Sequence, residues 1–251
     1  QPLFAPQVSK VNFLAIGADG KVGSGLDVDQ NADTCTPAGC EAGIDNSLSL
    51  LAGLANDALT SAVQGGTVVL LFEHRDFAAD GTPYALSFYA GDAADGDCDI
   101  QLDNCPYVVK EDSFDADCEP LVKMDNATVS GTALTAGGPG YNFGLPLPLA
   151  DGVLLDLVLY HAQVKGTIGF GAGNPVTLDG ILAGAVSKED MLVAIEAVPA
   201  DALPLDKALV ISMVEMLVTA DIDSNGDGQL DAASIGLPFG AIAGTIVGTT
   251  P

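Results

Sequence analysis

The chain reads as a mainly β protein with embedded helices. The expected α+β form is an antiparallel β-sandwich or curled sheet packed by about three helices. Three observations predict it. Short apolar runs recur along most of the 251 residues, separated by Gly, Pro and Asp-Gly breaks. The tripeptide Ala-Asp-Gly returns at 18–20, 79–81, 94–96 and 150–152, and Asp-Gly between apolar runs is hairpin chemistry. Helical spacing of apolar residues is confined to a few segments. The organisation expected is a single β-rich domain over 1–251, with an acidic cysteine-bearing insertion at about 92–120 and a helical segment at about 187–220. A chain of this length buries a sizeable core.

Residues 8–16 form the first strand, which ends in the turn at 18–20. Ile44, Leu48, Leu51, Ala55, Ala58, Leu59 and Ala62 recur at helical spacing, with Asp45 or Asn46 to cap the start and Gly65-Gly66 to end it. Strands at 67–72 and 84–89 are joined across Asp80-Gly81, and 92–120 is irregular. Further strands are expected at 127–135, 141–149, 153–164 and 166–170. Both faces of 153–164 are largely apolar, which suits a central strand or one covered by a helix. A helix at 187–198 is capped by Ser187, with Glu189 and Asp190 in its first turn. A second at 204–220 is apolar nearly all round, hence expected to be buried, Met213 and Met216 included. The tail at 235–247 returns as a last strand. The longest apolar candidate, 145–162, carries two prolines, Asp151 and Asp156, so no membrane span is expected.

Charge narrows the partners. The net charge is -26, from 27 Asp and 7 Glu against eight basic residues, with Arg75 the sole Arg. Such a chain repels phosphate, which excludes nucleic acid and anionic membrane surfaces and favours cations. Asp, more than Glu, suits turns and calcium loops. Adaptation to salt is the other source of such acidity. Five cysteines are present. Cys35 and Cys40 flank a turn and are close enough to bridge; Cys98, Cys105 and Cys118 lie in the second acidic stretch, leaving one odd thiol. No CxxC pair occurs, and hard carboxylates suit calcium over zinc. Disulfides imply an oxidising compartment, hence an extracellular or outer cell surface address. A chain beginning Gln1-Pro2 reads as a processed mature protein, and a lipid anchor on an unseen residue is compatible with that.

The densest motif is Asp223-Ser-Asn225-Gly-Asp227-Gly228-Gln229-Leu230-Asp231. Asp223, Asn225, Asp227 and Asp231 fall at loop positions 1, 3, 5 and 9, and Gln229 offers its carbonyl at position 7. Gly228 permits the turn at position 6, and Leu230 is expected to anchor the loop to a core. Over these nine residues the chain resembles EF-hand and dockerin-like calcium loops, which implies bound calcium. It departs from them at position 12, where Ser234 replaces the bidentate Glu, and in the segment after it, which cannot form an exiting helix. Asp221 is a spare ligand if the register slips by two. Asp27, Asp29, Asn31 and Asp33 alternate in the same way before the Cys35–Cys40 pair, with Glu41 and Asp45 within reach. Two readings stand there: a second, irregular calcium loop or a solvated acidic loop.

Asp103-Asn104-Cys105-Pro106 and Asp115-Ala-Asp117-Cys118 resemble a fragment of the thrombospondin type 3 calcium repeat, although its intervening Asp-x-Asp-Gly core is missing. That resemblance implies a Cys105–Cys118 disulfide and an odd thiol at Cys98. The Asp-rich loops, Gly43-Ile-Asp45-Asn46 and Leu134-Thr-Ala-Gly-Gly138 also resemble secreted or lipid-anchored bacterial surface proteins.

Catalytic signatures are missing from the sequence: there is no Gly-x-Ser-x-Gly elbow, HExxH, P-loop or dinucleotide fingerprint. His74 and His161 are the only general-base candidates, and both read as structural. Arg75 is expected to pair with a neighbouring Asp. Asn126-Ala-Thr128 is a glycosylation sequon. No enzyme is expected. The leading expectation is an extracellular calcium-stabilised structural or surface protein that self-associates as a filament or coat subunit. The alternative is a small-ligand-binding or adhesion module with an apolar cleft. A hydrolase built on either histidine with an Asp ranks third.

Overall fold

The computed structural model describes residues 3–102, 105–150, 153–171, 174–200 and 206–250. Strand β1 (Val8–Leu14) is paired on both sides, with β2 (Val69–Arg75) and with β10 (Ala232–Thr249). From β2 the ladder passes to β3 (Tyr84–Ala93), β5 (Val122–Ser130) and β6 (Ala133–Gly137). It continues through β8 (Val153–Gly171) and β9 (Asn174–Ser187) and returns to β10. Every step is antiparallel, and the eight strands close a barrel. The β-sandwich or curled sheet expected from the sequence is therefore corrected. Closure removes the free edges that either form would keep.

Glycine explains much of the difference. Three strands are long, at 19, 14 and 18 residues for β8, β9 and β10, and the glycines read as breaks lie inside them. Gly166 and Gly180 face each other across β8 and β9. A Cβ on Gly166 would lie 2.7 Å from the Asp179 carbonyl, and one on Gly180 2.6 Å from that of Lys165. Only glycine permits so close an approach, and such positions are where barrel strands bend. The expected breaks between 153–164 and 166–170 thus belong to one strand. The stretch 174–187, where the sequence predicts no element, is a full stave.

A second ring shares staves with the first. Strand β4 (Cys105–Val109) pairs antiparallel with Gly91–Ala93 of β3 and parallel with the end of β10. Together with β1 and β2 these strands enclose a separate small core of Val8, Val69, Leu71, Tyr89, Cys105, Tyr107 and Val109. Alternation along β2 shows the division, since Phe72 joins the main core while Val69 and Leu71 join the small one. The stretch at about 92–120, expected to be irregular, supplies the strand β4 of this annex. Strand β7 (Phe143–Ala150) forms a hairpin with the first half of β8, which accounts for the long apolar run.

Three short helices pack on this frame. Helix α1 (Ala52–Gln64) follows a 3₁₀ turn at Ser47–Leu51 and ends at Gly65-Gly66 as expected. Asn46 does not cap it. The Asn46 side chain instead donates to the Gly17 and Asp19 carbonyls, at 2.9 and 2.8 Å, and accepts from Gly236 N–H at 3.0 Å. Helix α2 (Lys188–Ala197) is capped by Ser187, which accepts from Asp190 N–H, as the sequence predicts. Helix α3 (Lys207–Leu217) is not buried all round: Met216 is 75% exposed and Leu209 49%. No helix among the described residues is long and apolar enough to cross a membrane.

Disulfides join Cys35 to Cys40, as expected, and Cys98 to Cys105. The pairing of Cys105 with Cys118 is thus corrected, and the odd thiol is an exposed Cys118, not Cys98. Cys105 begins β4 and faces the small core, where Cys98 packs against it. Asp103 and Asn104 of the thrombospondin-like fragment lie outside the described residues.

Candidate metal centre

The acidic loops sit on the outer face of β9 and β10. Leu26, Val28 and Ile222 pack there with Ala183, Ala185 and Ala232, so apolar contacts fix both loop bases. Gln163 of β8 adds a 2.9 Å hydrogen bond from its Nε2 to the Asp27 carbonyl.

In the first loop Asp27, Asp29 and Asp45 converge. One carboxylate oxygen from each lies within 4.8 Å of the others, and this is the only such set of three or more His, Cys, Asp or Glu among the described residues. Two oxygens bound to one calcium ion at ~2.4 Å stand at most ~4.8 Å apart, so the spacing suits a shared ion. Asp45 arrives from a separate stretch. Its N–H bonds the Leu26 carbonyl at 2.9 Å, and its Oδ2 accepts from the Val28 and Asp29 amides at 2.9 and 3.3 Å. Asp29 accepts from Asn31 N–H at 2.8 Å and from the Thr34 hydroxyl at 2.7 Å. Asp27 Oδ1 is buried without a hydrogen-bond partner among the described residues.

The electrostatics disfavour three bare carboxylates. Asp45 is 2% exposed. Burial pushes its pKa up to about 7, and the charges of Asp29 and Asp221 add to the effect against the opposing amides. Asp27 is also raised, first by burial and then by Asp29. The ion pairs among the described residues join Arg75 to Glu73, Lys110 to Asp92 and Lys123 to Glu119, and none reaches this cluster. The donors are all hard oxygens, which suits calcium or magnesium and not zinc.

The stronger-looking motif behaves differently. Asp223 folds back on its own loop. Its Oδ1 accepts from the amides of Asn225, Gly226 and Asp227, and its Oδ2 accepts from Gly228. These amides, Gly228 foremost, hold its pKa low. Asp231 binds Ser224 and the Asn225 side chain, and Asp227 accepts from Gln229 N–H. Asp223, Asp227 and Asp231 do not gather as the first triad does. A bridge between Ile222 and Ala232 pinches the loop off, and it passes straight into β10, not into a helix. Ser234, at position 12, is used elsewhere: its hydroxyl donates to Asp221 at 2.6 Å and accepts from Ser47 N–H at 2.8 Å. Asp221 is thereby a strut between the loops, and burial raises its pKa. Leu230 is 61% exposed, so it does not anchor the loop to a core.

Of the sequence-predicted ligands, the structure unites Asp27 and Asp29 and adds Asp45, which the sequence placed within reach. Asn31 and Asp33 stay exposed on the same loop, Asn31 accepting from Asp33 N–H. The anchoring roles of Gln163, Asn46 and Ser234 carry no local sequence signal.

Neither histidine has a carboxylate partner among the described residues. His74 is fully buried, with Nδ1 3.0 Å from the Tyr84 hydroxyl and Nε2 unpartnered. His161 sits at φ 53 in the β8 irregularity, with Nε2 3.2 Å from the Asp223 carbonyl. Arg75 pairs with Glu73, not with an Asp. Asn126 is held at both ends of its amide by Gly137. No family model matches the chain, no curated protein matches its sequence and no solved structure matches its fold.

Proposed function

We propose that the protein is an extracellular or cell-surface β-barrel braced by calcium bound between Asp27, Asp29 and Asp45. The observation that carries this reading is their convergence around a buried, unpartnered oxygen of Asp27, beyond the reach of every ion pair among the described residues. An ion there would neutralise charge that otherwise opposes folding and would tie the 27–33 loop to Asp45 on the outer face of the barrel. The Cys35–Cys40 disulfide closes the same loop, and two disulfides suit the oxidising outside of a cell. The net charge of -26 keeps phosphate away and draws cations in.

Thermal unfolding in EDTA and in millimolar calcium tests the reading. Calcium should raise the wild-type melting temperature by several degrees. Asp45→Asn should abolish that gain, and near pH 8 it should make the metal-free protein more stable, because a buried uncompensated carboxylate is gone. Identical melting in EDTA and calcium would dispose of the brace.

A further inference from the structure

The barrel holds a chamber of ≈ 500 Å³ that the calcium reading does not use. Val11, Leu14, Phe72, Phe143, Leu182 and Phe239 line it from the main core, joined by the half-buried Leu70, Phe88 and Val122. Its mouth lies beside Lys110, Asp112, Ser113 and Leu121. The far end of the barrel is shut by packed rings: Phe77 lies 5.3 Å from Tyr84 and 5.9 Å from Phe170, with His74 against both Phe77 and Tyr84. The result is a partly open pocket inside a closed barrel. Eight-stranded barrels are just wide enough to hold one small ligand.

Water is a poor occupant. A buried water needs two or more polar partners, and the chamber wall is aliphatic and aromatic. Ser113 is the polar group nearest the wall, and its hydroxyl is already engaged by Ala90 N–H at 3.2 Å. The chamber's volume falls in the range of small-molecule sites.

The mouth selects among lipophiles. Lys110 is the one cation among its described residues, and Asp92 stands 3.8 Å away, with Asp112 on the rim. A free carboxylate meets as much negative as positive charge there and must also approach a chain of net charge -26. A hydroxyl or carbonyl end can hydrogen-bond Lys110 at no such cost. We propose that this chamber is a binding site for an uncharged lipophile, seated with its apolar body among Phe72, Phe88, Phe143 and Phe239 and its single polar end at the Lys110–Ser113 mouth.

The test is titration with N-phenyl-1-naphthylamine, an uncharged dye that brightens in apolar surroundings. The full-length protein, with calcium present, should bind it saturably at one per chain. 1-Dodecanol should displace it at a concentration at least tenfold below that needed for dodecanoate at neutral pH. Val122→Trp and Ala90→Phe each push a ring into the chamber and should weaken the dye at least tenfold, with far-ultraviolet circular dichroism unchanged. Val193→Lys, exposed on α2 and away from the chamber, should bind as wild type does. No saturable binding by wild type would overturn the site, and so would full binding in a folded Val122→Trp or Ala90→Phe protein. Displacement by dodecanoate as readily as by dodecanol would overturn the uncharged class.

Discussion

His74 shows how much one buried group ties stability to pH. Burial lowers its pKa to about 4, so the folded protein holds the ring neutral through the mildly acidic range. The unfolded chain takes up that proton near the ordinary value of about 6.5. Below this value unfolding is favoured by proton uptake, so the stability present above pH 6.5 is lost as pH falls to about 4. The full loss is about 3 kcal/mol. Phe at this position keeps the volume and the ring packing against Phe77 and Tyr84 but removes the titration. His74→Phe should therefore flatten the decline in melting temperature between pH 7 and pH 4.5, even if its stability at pH 7 is somewhat lower. Parallel pH profiles for wild type and variant would show that the slope comes from other groups. Asp45 works in the opposite sense. Its raised pKa gives the metal-free fold extra stability at low pH that is lost as pH rises through about 7. The His74 comparison isolates one residue because Asp45 is common to both proteins.

At the scale of elements, α1 stands in for a missing ladder. Beyond Lys10, β1 is no longer paired with β2, which leaves the chain after Leu14 in need of partners. The side-chain amide of Asn56 supplies them, accepting from Ile16 N–H at 2.7 Å and donating to its carbonyl at 2.9 Å. Thr60 adds a longer bond to the Leu14 carbonyl. Replacing Asn56 with Ala strands both groups of Ile16 at a half-buried site and should cost about 2 kcal/mol. Asp57→Ala, one residue on and exposed, should change stability by less than about 0.5 kcal/mol. Chemical denaturation of the two variants checks the contrast, and equal effects would refute the bridging role. This device also marks the limit of what the sequence discloses. The helical stripe of α1, the Ser187 cap and the early strands were legible because period and capping are local. Closure was not, because it depends on which strand β1 meets on its second side. Gly166 opens a separate short strand when read alone and Gly180 falls in no expected element, and the two make sense only as a facing pair. The metal cluster divides in the same way. Asp27 and Asp29 were legible by their alternation, whereas Asp45 enters through a bridge to Leu26 and a hydrogen bond from Val28 N–H, 17 residues away in sequence. The loop at 223–231 fits its motif better, yet its carboxylates are spent on its own amides, a competition the letters do not show.

For the whole molecule, the two fused rings raise the question of whether they fold as one unit. β10 serves both: Ala232–Ile242 pairs with β9, Phe239–Gly244 with β1, and Gly244–Thr249 with β4. The large ring needs nothing beyond Gly244, while the small ring depends on the last turns of β10, from Gly244 to Thr249. Both rings nevertheless share β1, β2 and β3, and Lys10 is buried on the annex side with its Nζ 3.4 Å from the Val63 carbonyl and 3.3 Å from that of Ile100. Lys10 has no carboxylate partner among the described residues, and burial lowers its pKa to about 8. Its charge therefore depends on those carbonyls and on the annex staying closed over them. Deleting residues 245–251 separates the possibilities. If the rings are independent cooperative units, the barrel amides of β5, β6, β8 and β9 keep native protection from hydrogen exchange, and those of β4 exchange as in an open loop. The Cys98–Cys105 bridge still closes the loop that leads into β4 but does not restore the parallel ladder. If protection falls in all strands together, the annex is part of one folding unit with the barrel. We expect the first outcome, because the main core draws no residue from β4 and the lost ladder is confined to the small ring.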